Sequence, residues 1–174
     1  MHPAATVLLL RETAGELEVL MMRRGAGLAF MAGMWVFPGG RVDAADASPA
    51  IRSRVPAAAG DLGREDLRTL GGGFLDPETA LALRVAACRE TFEESGVLLA
   101  RDATGQPCDP ERVAALQPRR AEVANDAESF AALLADEDLY LDVAPLVYWS
   151  HWITPSAEPR RFDTRFFAVA VPAG

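Results

Sequence analysis

The chain has 174 residues, 50% of them hydrophobic and 24% charged, a composition that supports one domain with a real core and excludes a disordered segment. Its 17 basic residues stand against 25 acidic ones, a net charge of −8, which disfavours sequence-independent binding to nucleic acid. No apolar run reaches the roughly 18 residues of a membrane-spanning helix.

The first residues, MHPAATVLLL, meet Arg11 and Glu12 at once and read as a first strand, not a signal peptide. Residues 5–10 and 17–24 are β-like and flank Thr13-Ala14-Gly15-Glu16, which predicts a hairpin. Residues 25–33 read as a loop. Met34 to Phe37 reads as a short strand that stops at Pro38-Gly39-Gly40, where proline ends pairing and glycine frees the backbone. Residues 44–75 carry several Pro and Gly and one weakly helical piece, 63–70; they read as a surface insertion too short for its own core.

The clearest helix follows. Asp76 suits the N-cap, Pro77 the first helical position, and Glu78 the positive helix end. Leu81, Val85, Cys88 and Phe92 give an apolar face, and Gly96 ends the helix. Val97–Ala100 reads as a strand, 111–116 and 126–135 as helices, and 139–153 as one long strand or two broken at Pro145. Arg165–Val171 reads as a strong last strand. Cys88 and Cys108 lack a CxxC partner, so free thiols in a reducing compartment, the cytoplasm, are expected, with no zinc site. Trp35, Tyr148 and Trp149 read as core residues, one of them a candidate to stack on an adenine. His151 reads as a structural residue that satisfies a local hydrogen bond.

Within the helix, Arg89-Glu90-Thr91-Phe92-Glu93-Glu94-Ser95-Gly96-Val97 places three carboxylates on neighbouring positions. Like charges so close repel, and a divalent cation would reverse that penalty; hard oxygens suit magnesium. Arginine accounts for every basic residue in the chain, and its planar fork suits phosphate. Arg160, Arg161 and Arg165 are candidate phosphate clamps, or else a basic loop leading into an edge strand.

The 89–97 string resembles the core of the Nudix box, which runs Gly, five residues, Glu, seven residues, then Arg-Glu-aliphatic-x-Glu-Glu-x-Gly-aliphatic. Thr91 departs from the aliphatic preference. Phe37-Pro38-Gly39-Gly40-Arg41-Val42-Asp43 resembles the family's Pro-Gly-Gly turn, and five residues from Gly40 lead to Asp46. Between Asp46 and Arg89 stand 42 residues instead of seven, so the box is interrupted by an insertion, and its first acidic position falls on Asp46, Asp43 or Glu78. Residues 20–25, Gly33 and the Phe-Pro-Gly-Gly element partly resemble the signature of Nudix enzymes that cleave coenzyme A. There Arg24 keeps the spacing, while Gly25, Ala29 and Trp35 depart from it. The interrupted box and the strings 151–155 and 160–167 are similar to the branch containing the peroxisomal acyl-coenzyme A diphosphatases.

The resemblance implies a single α/β domain, residues 1–174, with the Nudix fold: an α/β/α sandwich around a mixed β-sheet. That fold normally continues into a further helix beyond the last strand. The resemblance also implies Mg2+ or Mn2+ as cofactor, held by Glu90, Glu93 and Glu94, with Arg89 orienting the carboxylates. Arg24, Gly39, Gly40, Arg41, Arg161 and Arg165 would meet a small diphosphate substrate, and the general base stays open. A homodimer would be one way to cover an exposed sheet edge.

Overall fold

A computed structural model describes residues 1–24, 33–57, 75–124 and 126–171. Strand β1 (His2–Thr13) buries Ala5, Val7 and Leu9 on one face by simple alternation. Ala14 and Gly15 both take positive φ, 53° and 83°. That turn suits the strand twist and sends the chain back as β2 (Glu16–Val19). Short strands β3 (Met22–Arg23) and β4 (Trp35–Val36) pair with each other. Then β5 (Gly39–Arg41) returns to the first half of β1, matching Ala4 with Arg41 and Thr6 with Gly39. The last strand, β9 (Phe162–Ala170), runs parallel to β1, and β8 (Val147–Ile153) pairs antiparallel to β9 at the sheet edge. One parallel pair among antiparallel ones makes the mixed sheet that was expected.

The long helix, here α2 (Pro77–Ser95), follows a short α1 (Pro49–Arg52) and crosses β1 and β5. Its start is fixed as read from sequence: the Asp76 carboxylate accepts the Thr79 N–H at 2.9 Å and Pro77 opens the first turn. Its end is Gly96 at φ 79°, the left-handed cap that glycine adopts without strain. Burial is not confined to the one face predicted. Every residue from Ala80 to Arg89 is buried, small Ala82, Ala86 and Ala87 included. A further layer, α4 (Arg120–Val123) and α5 (Ala127–Asp136), lies beyond α2 and joins the same core through Val123, Phe130, Leu133 and Leu134. Helix α3 (Pro110–Leu116) adds Leu116.

Several expectations change. Residues 97–99 are not strand: β6 spans Ala100–Asp102 and pairs with β7 (Leu139–Leu141) in a separate two-stranded sheet. Residues 139–153 are two strands in different sheets, β7 and β8, with Pro145 between them. The stretch 44–57 is not mere surface, since Asp46, Ile51 and Val55 are buried; the helical piece expected at 63–70 lies outside the described residues. Trp35 and Trp149 are exposed, 61% and 65%, and Tyr148 only half-buried, because among the described residues no layer covers β3–β4 or the edge strand β8. On the sheet face away from α2, Val147 and Trp152 also stay exposed, with no helix over them among the described residues. Both thiols are free, and burial pushes that of Cys88 up. No described helix is long and apolar enough to cross a membrane.

Candidate active site

Strand β5 brings Gly40 directly under the last turns of α2. A Cβ on Gly40 would stand 2.4 Å from the Glu90 carboxyl carbon and both its oxygens, so any larger residue there would push the Glu90 carboxylate aside. One residue earlier, the Gly39 N–H donates to Glu94 Oε2 at 2.9 Å. The Gly-Gly turn and the acidic helix, 50 positions apart in sequence, thus form one surface.

Arg89 organises that surface. Its guanidinium donates to both oxygens of Asp46, Nε to Oδ1 at 2.8 Å and Nη2 to Oδ2 at 3.0 Å. It also donates to Glu90 Oε1 at 3.0 Å, to Glu93 Oε1 at 2.8 Å and to the Arg41 carbonyl at 3.0 Å. Asp46 and Arg89 are both buried. Of the three candidates for the first acidic position, Asp46 is the one that bonds Arg89. Asp43 instead caps the short 3-10 turn at Ala44–Ala47, and Glu78 lies in the first turn of α2. Asp46 is shaped for this: its Oδ2 also accepts the Asp43 N–H at 2.8 Å, which fixes the carboxylate toward Arg89.

Electrostatics follow from burial. Burial pushes the Glu90 carboxyl up to about 7, with Glu93 and Glu94 adding repulsion and Arg89 opposing it. Burial also raises Glu94, against the Gly39 N–H and the nearby Arg24 charge. For Arg89, burial works against the cation, but Asp46, Glu90 and Glu93 outweigh it and hold it charged.

The other expected contacts divide. Arg24 lies close enough to Glu94 to lower its pKa, and its buried Nε has no hydrogen-bond partner among the described residues. Arg41 contributes its carbonyl to Arg89, while its side chain is exposed. Arg165 is buried on β9 in the row that runs Gly40, Ala5, Arg165, His151 across the sheet, two strands from Gly40. Its guanidinium bonds Asp163, whose Oδ1 lies 2.5 Å from His151 Nε2. Arg161 donates to the Thr154 carbonyl at 3.0 Å. Arg161 and Arg165 thus each bond within β8–β9, and His151 satisfies a local bond as expected. Two residues gave no signal in the sequence: Gln117 and Arg120, which bond the C-terminal carbonyls of α2.

The donor set suits a hard divalent cation. Glu90, largely buried, and Glu94, exposed near the end of the helix, are both held above the usual carboxylate pKa range beside like charge, a penalty that a cation reverses. Among the described residues no three acidic, His or Cys side chains converge into a ready-made cage. Magnesium accepts that, since it binds one or two carboxylates and completes its shell with water and phosphate.

A helix that ends in paired glutamates, locked by an arginine to a glycine turn on a mixed sheet, is the build of the Nudix domain. The solved structure of a NUDIX hydrolase from Alicyclobacillus acidocaldarius matches 98% of this chain and 70% of its own, at TM-score 0.72 and 30% identity. More narrowly, residues 76–173 match the family model described as the NUDT19 Nudix domain, and the chain belongs to that family. The human acyl-coenzyme A diphosphatase NUDT19 is 35% identical over 180 residues, 86% of this chain and 47% of the human protein. The putative nudix hydrolase 7 of Caenorhabditis elegans is 32% identical over 168 residues, 97% of this chain and 44% of its own. The chain thus spans about half the length of the curated relatives it matches.

Proposed function

We propose that this domain hydrolyses a diphosphate linkage in a nucleoside diphosphate derivative, with coenzyme A or an acyl-coenzyme A as the substrate class. The observation that carries the reading is the Glu90 carboxylate, buried over Gly40 and raised to about 7 beside Glu93 and Glu94. So costly an arrangement suits a site that receives positive charge. The names of the relatives, acyl-coenzyme A diphosphatase in human and chicken, support the substrate class.

Glu93 and Glu94 would hold Mg2+ or Mn2+, and Glu90 would serve as ligand or base. Such a cation, when bound, neutralises phosphate charge and lowers the pKa of a bound water. Arg89 fixes the carboxylates through its bonds to Asp46, Glu90 and Glu93. Arg24, whose charge acts on Glu94 and whose buried Nε has no hydrogen-bond partner among the described residues, would meet a phosphate oxygen. The Gly39–Gly40 backbone lies against Glu94 and Glu90, beside the position the diphosphate would take. Attack of water on phosphorus breaks the anhydride and leaves two phosphate-terminated halves. From coenzyme A these are phosphopantetheine and adenosine bisphosphate. The free thiols Cys88 and Cys108 support a reducing compartment such as the cytoplasm.

The test is a product assay on coenzyme A, acyl-coenzyme A, NADH and ADP-ribose, with and without Mg2+. Metal-dependent release of the two halves from a coenzyme A compound, lost in Glu94→Gln with the fold intact, is the expected result. Turnover confined to NADH or ADP-ribose moves the substrate elsewhere; full activity of Glu94→Gln removes Glu94 from the site.

A further inference from the structure

The C-terminal end of α2 is an unusual place for three glutamates. A helix exposes its last carbonyls there and presents the negative end of its dipole, and the last turn of α2 carries no basic residue of its own. The end is instead closed from a distant segment. Gly96 N–H returns to the Phe92 carbonyl at 2.9 Å, and the Ser95 hydroxyl donates to the Thr91 carbonyl at 2.6 Å. The Val97 N–H, which would have continued the ladder to Glu93, bonds Ser95 Oγ at 3.2 Å. The Glu93 carbonyl so freed accepts Arg120 Nη2 at 2.9 Å, and the Gly96 carbonyl accepts Gln117 Nε2 at 2.9 Å. Arg120 Nη1 also lies 3.5 Å from Gln117 Oε1, which joins the two caps. The cradle is tight: a Cβ on Gly96 would stand 2.3 Å from Gln117 Oε1 and 3.2 Å from Arg120 Nη1.

We propose that Gln117 and Arg120 are positioning residues for the metal-binding turn of α2, acting through the Glu93 and Gly96 carbonyls to hold Glu93 and Glu94 in register for a divalent cation. This deepens the proposed hydrolase function and rests on it. Arg120 anchors the backbone of one ligand residue and sets its cation against the negative helix end. Gln117 anchors the turn that stops the helix one residue past the ligands. Since both bond backbone, neither needs to touch metal or substrate. The segment that carries them, Gln117–Val123 with α3 before it, has in effect been recruited as an external C-cap for the acidic helix.

The test is Mn2+ binding to the substrate-free protein, followed by the paramagnetic resonance of the free ion, for wild type, Arg120→Met, Arg120→Lys and Gln117→Ala. Thermal melts and metal-activated turnover on the best substrate are measured alongside. Outer groups that orient metal ligands are worth about 10-fold or more in affinity. Arg120→Met is expected to weaken Mn2+ by about 10-fold, with Gln117→Ala smaller and Arg120→Lys recovering part of the loss. Lys restores a donor as well as the charge, and the melts show that the variants are folded. Unchanged affinity in a folded Arg120→Met overturns the proposal, as does tighter binding, which would show that Arg120 acts only as a repelling charge. Wild-type protein that neither binds Mn2+ nor hydrolyses a diphosphate would instead fail the metal-hydrolase reading itself.

Discussion

Replacing Glu90 with Gln separates the cost of the site from its use. The Glu90 side chain is 14% exposed, and burial raises its carboxyl from 4.5 to about 7. Below pH 4.5 the group is protonated in folded and unfolded chains alike, and its contribution to stability is fully present. As pH rises from 4.5 toward about 7, the unfolded chain has released a proton that the folded one still holds, and that contribution is progressively lost, completely so once the folded group also ionises above 7. At roughly 1.4 kcal/mol per pH unit, the gap is worth ~3 kcal/mol by pH 8 and under 1 kcal/mol at pH 5. Gln keeps the oxygen that accepts from Arg89 and never charges. Metal-free Glu90→Gln should therefore unfold at higher urea than wild type at pH 8, by about 2–3 kcal/mol or about 5–10 °C in Tm, and nearly with wild type at pH 5. Mg2+ should close the difference by stabilising wild type more than the variant, while hydrolysis falls in the variant. An equal gain at both pH values, or none at pH 8, would refute the claim that Glu90 sits under electrostatic strain.

Asp46→Ala removes the bidentate partner of buried Arg89 and should cost about 3–5 kcal/mol in urea unfolding, far more than Asp43→Ala, whose carboxylate caps an exposed turn. Gly40→Ala forces a methyl against the Glu90 carboxylate and should lower kcat/KM by about 100-fold; a variant with near wild-type turnover would show that the close approach is dispensable. Arg24→Ala should raise KM for the diphosphate by about 10-fold through loss of a charge-assisted bond, read from steady-state kinetics at saturating Mg2+. A fall in kcat with unchanged KM would instead place Arg24 in the chemistry.

Local signals were the legible ones. Asp76, Pro77 and Gly96 fixed both ends of α2 because caps act within a turn of the residue that makes them. The turn at Ala14-Gly15 was equally local. Burial was not. Trp35 and Trp149 carry core-forming side chains, but whether a layer covers them depends on elements far away in sequence, and among the described residues none does. The reverse holds for 44–57, where a polar, proline-marked stretch delivers Asp46, Ile51 and Val55 into the interior. The strand register sets Arg165 in one row with Gly40 and lets it bond Asp163, a placement its residue type does not reveal.

From the amino-acid order alone came the acidic helix with its stop signal and the glycine turn, since residue types at fixed helical spacing determine which charges share a face; the class of chemistry came from the resemblance of those strings to the Nudix box. The fold decided which of Asp46, Asp43 and Glu78 meets Arg89, that Glu90 rests on Gly40, and that Gln117 and Arg120 close the helix end. Those are contacts between residues roughly 20 to 50 positions apart. Their geometry depends on how the sheet and helix layers pack, and no local pattern in the chain encodes it.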